Sequence, residues 1–438
     1  MDSAAAAAAM SSMRDDEDDE SLRLPLLLNP VYARTKSTIS DELRNFRICL
    51  KWCLLDHSTA AGAATSYATF AFLAVLLPAA VSLSLHGPSV SLHQLVQLPS
   101  SALAAIAFFS LAASFRRHTG LRQFLLLDGA LSQDSACVHR RYTRLLDHAF
   151  RRLLFILLPC FAVEVAHKIQ FFSAASVSAA PLGGPAALAA TLASWVYRTG
   201  VFLLVCVLFR LTCELQTLRF EGLYEMFEEE GSGASPESCE VLLKEHARIR
   251  RQLLVTSHRY RIFILGCLVT ITVSQLGALL LVLASKSEKN FFNSGDVVVC
   301  SAVQLSGMFM CLMGAAKITH RAQRVVSVAS RWHAFLSASS AATSPAKQSP
   351  SATNYASDSS NAEDDDSPKP STCHPIASQG GQHKSTFQAR QALVMYLEHN
   401  GGGITLFGFA LDRGMLHTLF VFETTLVLWI LSKVVVLS

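Results

Sequence analysis

The chain has 438 residues, 51% of them hydrophobic and only 16% Asp, Glu, Lys or Arg, where a soluble domain carries about a quarter charged residues. Its mean hydropathy of +0.34 points to a membrane protein. A net charge of +4, with no basic run interleaved with aromatics, gives no footing for nucleic acid.

Residues 1–42 are expected to form a disordered cytosolic tail. The N-terminal alanine run is short and leads into the acidic stretch Asp15 to Glu20 instead of a cleavage site, so no signal peptide is predicted. A bilayer core of roughly 30 Å needs about 20 apolar residues in a helix, and seven segments meet that length. The first, Gly62 to Leu85, and the second, Leu98 to Phe115, carry no charge; the second stops at Arg116 and Arg117. The third, Leu153 to Phe172, holds Glu164, His167 and Lys168, and the fourth, Ala186 to Phe209, holds Arg198. Ile262 to Ala284, Val297 to Ala316 and Met415 to Val436 complete the set. Lipid offers no partner to open backbone groups, so each segment reads as a helix. The expected fold is an all-α membrane protein with seven transmembrane helices.

Orientation follows from lysine and arginine. Thirty-one of them precede the first span or lie in the loops 116–152, 210–261 and 317–403, whereas residues 86–97, 173–185 and 285–296 hold only Lys286 and Lys289. The positive-inside rule then places the N-terminus in the cytosol, and an odd number of spans places the C-terminus outside. G-protein-coupled receptors have the opposite orientation.

The outer loops are too short for a folded domain. On the inner side, Leu211 to Glu230 and Glu240 to Tyr260 mix apolar and charged residues at near-helical spacing around Gly231, Gly233 and Pro236. They read as cytosolic helical extensions of the fourth and fifth spans, so 43–336 forms one block of six helices and their loops. From 337 to 386 the chain turns to Ser, Ala, Pro, Asp, Gln and Gly, a composition expected to stay disordered. Ser344, Ser349 and Ser367 each precede proline there, as phosphorylation candidates or as part of a plain linker. Residues 387–438 supply a short amphipathic helix, Phe387 to His399, ended by Gly401, Gly402 and Gly403, and then the seventh span. The eleven cysteines are scattered. Cys49 and Cys53 lack a second pair to complete a zinc site, and with Cys213 they are membrane-proximal candidates for palmitoylation.

Four stretches carry a family resemblance: LRNFRICLKWCLLD (Leu43 to Asp56), Gln97 to Asp128, VEVAHKIQFF (Val163 to Phe172), and Gly403 to Val435 around GFALDRGMLHTLFVFETTLVLWILSKV. In these the chain resembles a plant family of membrane proteins of unknown function, remotely similar to insect gustatory and odorant receptors. The resemblance implies a homotetrameric cation channel whose seventh helix lines a central pore. Residues 211–261, 317–336 and 387–399 would form its intersubunit anchor. Gustatory receptors end in Thr-Tyr, five apolar residues and Gln-Phe. Here the nearest match is Thr424-Thr425, Leu426 to Ile430 and Leu431-Ser432, without the Tyr, Gln or Phe.

Ionisable groups inside a membrane are expensive and face the bundle interior or a cavity. Glu164 and Arg198 lie at similar depth and are predicted to pair, as a helix-locking bridge or the floor of a ligand cavity. Glu164, His167 and Lys168 share one helical face. With Trp195, Tyr197, Arg198 and Gln304 they outline an outward-opening pocket for a small organic ligand, or a helix interface without one. On the seventh span His417, Phe420, Thr424, Val427 and Leu431 form a stripe bordered by Glu423. In a pore the stripe would gate by dewetting and Glu423 would attract cations; otherwise Glu423 pairs within the subunit.

No phosphate loop, metal-ligand constellation or nucleophile–base signature appears in the sequence, so neither an enzyme nor a cofactor is expected. The function expected is a chemoreceptor-like ligand-gated cation channel, with membrane lipid and other copies of the chain as partners. A non-conducting receptor or scaffold and a small-molecule transporter are the alternatives. The plasma membrane is the expected location, with an internal membrane equally compatible with the charge pattern.

Overall fold

The computed structural model describes residues 50–51, 53–55, 57, 59–84, 88–116, 136–174, 184–229, 235–284, 291–343 and 377–436. The tail 1–42, Cys49, and Ser344, Ser349 and Ser367 lie outside them. Contacts separate Met1–Phe72 from Leu73–Ser438. In the first unit, α1 (Ala60–Phe70) is capped by Thr59, whose hydroxyl oxygen accepts from the Gly62 amide at 3.0 Å.

A π-helical stretch, Ala71–Leu76, and α2 (Leu77–Ser84) come next in the chain. At π spacing the Leu73 carbonyl looks to the amide of residue 78, and Pro78 has none. The Ser194 hydroxyl donates to that carbonyl instead, at 2.7 Å. Then follow α3 (Pro88–Arg116), α4 (Ala136–Ala174), α5 (Gly184–Glu229), α6 (Pro236–Ala284), α7 (Phe291–Thr343), α8 (Ala377–His399), the hairpin β1 (Thr405–Leu406) and β2 (Phe409–Ala410), and α9 (Arg413–Val436).

Six segments among the described residues are long and apolar enough to cross a membrane: Ala60–Leu83, Gln97–Phe115, Arg151–Ser173, and stretches of α5, α6 and α7. The chain is an integral, multipass membrane protein. Helices α5, α6 and α7 contain 46, 49 and 53 residues. At about 1.5 Å per residue they are roughly 70–80 Å long, more than twice a ~30 Å hydrocarbon core. All three helices therefore run on, unbroken, well past the length that a span requires. Ser235 starts α6 as its cap, its hydroxyl accepting from the Ser238 amide at 3.2 Å. Polar contacts tie the extensions together. Lys317 Nζ lies 2.6 Å from Glu214, Arg321 lies 3.1 Å from Glu221, and Tyr224 donates to the Arg321 carbonyl.

Helix α5 is the most deeply buried. Its apolar window is 72% enclosed, against 17% for α4, and it packs on α7, α4 and α3. Two glycines of α7 set the α5–α7 distance. A Cβ on Gly307 would stand 2.6 Å from the Phe202 ring, and one on Gly314 would stand 3.3 Å from Cys213 Cβ. Cys213 is thereby buried and cannot take an acyl chain.

Two boundaries differ from the sequence expectation. Helix α7 runs on to Thr343, and α8 begins at Ala377, ten residues before Phe387. Helix α8 packs on α6 and α7. Its Tyr396 ring meets His246 of the α6 extension edge-on at 5.6 Å. After α8 the chain is pressed against α7: a Cβ on Gly402 would stand 2.9 Å from Ala322 Cβ. The hairpin turns at Phe407 (φ 50°) and Gly408 (φ 94°), and the Ser257 hydroxyl of α6 donates to the Thr405 carbonyl. Asp412 then caps α9, its Oδ1 accepting from the Met415 amide at 2.8 Å.

Gly307→Val is expected to lower the thermal stability of the detergent-purified protein by about 1–3 kcal/mol through overpacking. Gly200→Ala, where a Cβ meets nothing within 4 Å, should not lower it. His246 lies in the charge-rich extension outside the apolar window. Burial, aided by Arg250, pushes its pKa down to about 4. The folded chain thus holds the ring neutral where the unfolded chain, with a pKa near 6.5, takes up a proton. The α6–α8 contact should be at full strength above about pH 6.5 and weaken as pH falls towards about 4. Hydrogen exchange of α8 reads this, and His246→Phe should flatten the response.

Candidate functional site

Lys168, on α4, is fully buried. Its Nζ donates to both carboxylate oxygens of Asp296 on α7, at 2.7 and 2.8 Å. Glu164, one turn before Lys168, stands 3.4 Å from the same ammonium, and His167 Nδ1 lies 2.9 Å from Asp296. All four side chains are buried. Two carboxylates, one ammonium and one imidazole share this buried cluster. Asp296 was not among the expected site residues. It sits one position before the predicted start of the sixth span, where a short outer loop was read.

The expected Glu164–Arg198 pair is not formed. Arg198 Nη1 donates to the Ser101 hydroxyl at 2.7 Å and Nη2 to Gln97 Oε1 at 3.3 Å, with Nε on the Ser194 carbonyl at 3.3 Å. Arg198 therefore ties α5 to α3, while Glu164 is taken by Lys168 on its own helix. Depth was judged from residue counts, and counts carry no information about which way a helix face turns.

The expected pocket is split accordingly. Trp195, Arg198 and Gln304 do line one cavity, together with Ser100, Phe202 and Cys300, but its volume is about 20 Å³. That is room for a water molecule, not an organic ligand. Glu164, His167, Lys168 and Tyr197 do not line it. The Trp195 ring packs on Phe161 with centroids 6.2 Å apart. A larger space of about 390 Å³ lies between α3, α6 and α7. Its walls are apolar, including Leu98, Val269, Val273 and Val297, and its polar floor is Ser274, Ser301 and Gln304. Ser274 donates to Gln304 Oε1 at 2.9 Å, and Ser301 donates to Gln275 Oε1 at 3.2 Å. Gln304 borders both cavities. The chamber is open on one side, where Leu98, Val269 and Val273 are more than half exposed, and its size and few fixed polar groups give it the character of a small-molecule site.

Phe420, Thr424 and Val427 of the expected pore stripe lie on the flank of α9 and not on its free face. Glu423 is 3% exposed and accepts from the Thr272 hydroxyl of α6 at 2.5 Å. Phe420 packs on Phe309 of α7 with centroids 5.0 Å apart. Thr424 and Val427 are half-buried and His417 is exposed; Leu431 belongs to the same helix. The open face carries Thr418, Val421, Thr425, Leu428 and Ser432. Glu423 thus pairs within the subunit.

Removing Lys168 leaves two carboxylates buried without a cation. Lys168→Met is expected to cost about 3–5 kcal/mol. Combined with Asp296→Asn it should cost less than the two single changes together, by about 1–3 kcal/mol. Unfolding of the four proteins in one detergent measures this, and additive costs would contradict the pairing.

Two solved structures of an insect olfactory receptor, OR5 from Machilis hrabei, are similar to the chain. The first is 11% identical, covers 88% of this chain and 98% of the receptor, and has a TM-score of 0.52. The second, the same receptor in complex with eugenol, is 11% identical over 89% of this chain and 98% of the receptor, with a TM-score of 0.47. At this identity the first likeness is one of fold. No curated protein matches the sequence. One family does, over residues 41–422, described as a protein of unknown function (DUF3537). That match takes in every helix from α1 to α8, the hairpin and the first part of α9, and the chain belongs to this family.

Proposed function

We propose that the protein is a ligand-gated cation channel, and not an enzyme, that assembles from copies of this chain as a homotetramer with α9 lining a central pore. In this reading α9 is the seventh span, the N-terminus is cytosolic, the C-terminus lies outside, and the plasma membrane is the site of action. At about 1.5 Å per residue its 24 residues give roughly 36 Å, enough to cross.

The carrying observation is the two-sidedness of α9. Glu423 and Ile430 are buried on one side, and Thr418, Val421, Thr425, Leu428 and Ser432 are exposed on the other. Thr418, Thr425 and Ser432 recur every seven residues and so share a face. Hydroxyl rings alternating with the apolar rings of Val421 and Leu428 suit a cation path gated by dewetting. The likeness of fold to an olfactory receptor supports the same reading. The ligand is a small organic molecule, and the chamber between α3, α6 and α7 is its place.

Thr425→Cys should give disulfide-linked dimers on oxidation in native membranes, and Val427→Cys far fewer. The purified wild-type protein should carry basal cation current in planar bilayers, and Val421→Lys should abolish it. A protein that stays a single chain in membranes and carries no current overturns the proposal. A tag after Ser438 should be reachable only from outside.

A further inference from the structure

The seam between α3 and α6 holds a second space, of about 420 Å³, at its charge-rich end. Ile106, Phe109 and Ala113 of α3 face Ile262 of α6 across it. Phe109 is 53% and Ile262 69% exposed, so the furrow opens on the outside of the bundle, where acyl chains lie. Its rim is different in kind: His258, Arg259 and Arg261 border the same space. Arg261 is held with its guanidinium 5.1 Å from the centre of the Phe407 ring. Its Nε is buried and finds no hydrogen-bond partner among the described residues.

An apolar furrow at bilayer depth that ends in clustered arginines asks for an occupant with a tail and an anionic head. A free phosphate would leave the walls empty, and a peptide would not reach the hydrocarbon level. We infer that this furrow binds one anionic glycerophospholipid of the inner leaflet. Its phosphate sits at Arg259 and Arg261, and one acyl chain lies along Phe109, Ala113 and Ile262. Guanidinium groups match phosphate oxygens in pairs, and anionic lipids of the cytoplasmic leaflet are drawn to basic residues at that level. The inference rests on the orientation proposed above, in which His258 to Arg261 lie at the cytosolic boundary. The site abuts the hairpin that leads into α9, since Phe407 is the hairpin residue under Arg261.

The full chain, purified in detergent, is titrated with phosphatidylserine or phosphatidylcholine of identical acyl chains, and retained lipid is read by native mass spectrometry. The wild-type protein should hold one phosphatidylserine per chain and prefer it to phosphatidylcholine by about tenfold or more. Arg259→Gln/Arg261→Gln should bring the two lipids to parity. Arg251→Gln/Arg331→Gln, the same charge change at exposed positions outside the furrow, should keep the preference. Ala113→Phe fills the furrow with the arginines intact and should reduce retention of both lipids. Equal retention by the wild-type protein, equal loss in both arginine pairs, or full retention by Ala113→Phe overturns the inference. So does a shift of Ala113→Phe from oligomer to single chain, which would make the furrow an interface between copies. The mass reads lipid whether or not the protein conducts, and the tag after Ser438 reads orientation separately, so each failure is recognisable by itself.

Discussion

A charge in hydrocarbon is tolerated only when another side chain answers it, and that requirement links the helices of this protein in pairs. The Lys168–Asp296 contact joins α4 to α7. The fan of bonds from Arg198 joins α5 to α3. The Thr272–Glu423 bond joins α6 to α9. Helix association in lipid has little hydrophobic driving force, so these polar links, together with close approach at Gly307 and Gly314, select one arrangement among many of similar apolar contact.

The apolar blocks were legible because spanning length is a property of one helix alone. Six of them stand where hydropathy placed them, and the extensions of α5 and α6 follow from apolar residues at helical spacing among charges, whereas that of α7 was implied by the family resemblance alone. Pairing is a property of two helices. Glu164 and Arg198 have matching depth, yet Glu164 has its cation on the next turn of its own helix and Arg198 faces α3. Asp296 was hidden for a related reason. As a lone carboxylate at the edge of an apolar block it reads as loop, and only the position of α4 makes it the counter-ion of Lys168.

The segment between α8 and α9 shows the same division. Gly401, Gly402 and Gly403 were readable as a helix stop, and a stop they are. The further demand on Gly402, that nothing larger than hydrogen fits against Ala322, depends on α7. The hairpin is a two-residue turn at Phe407 and Gly408, with phenylalanine at positive φ, and short-range preference argues against that choice. Its stability comes from elsewhere: Ser257 holds Thr405, and Arg261 covers the Phe407 ring.

These contacts make α6 the element common to the chamber, the basic-rimmed furrow and the anchorage of α9. One face of it lines the chamber through Val273 and Ser274. The residue before them, Thr272, holds Glu423 and with it α9. Two turns nearer the charge-rich end, the same helix walls the basic-rimmed furrow and supports the hairpin below α9. Helix backbone is stiff over such distances. In the proposed channel a molecule seated against Val273 and Ser274 therefore acts on the Thr272–Glu423 contact through a single turn of helix. No longer chain of contacts is needed to carry occupancy of the chamber to the helix that would line the pore.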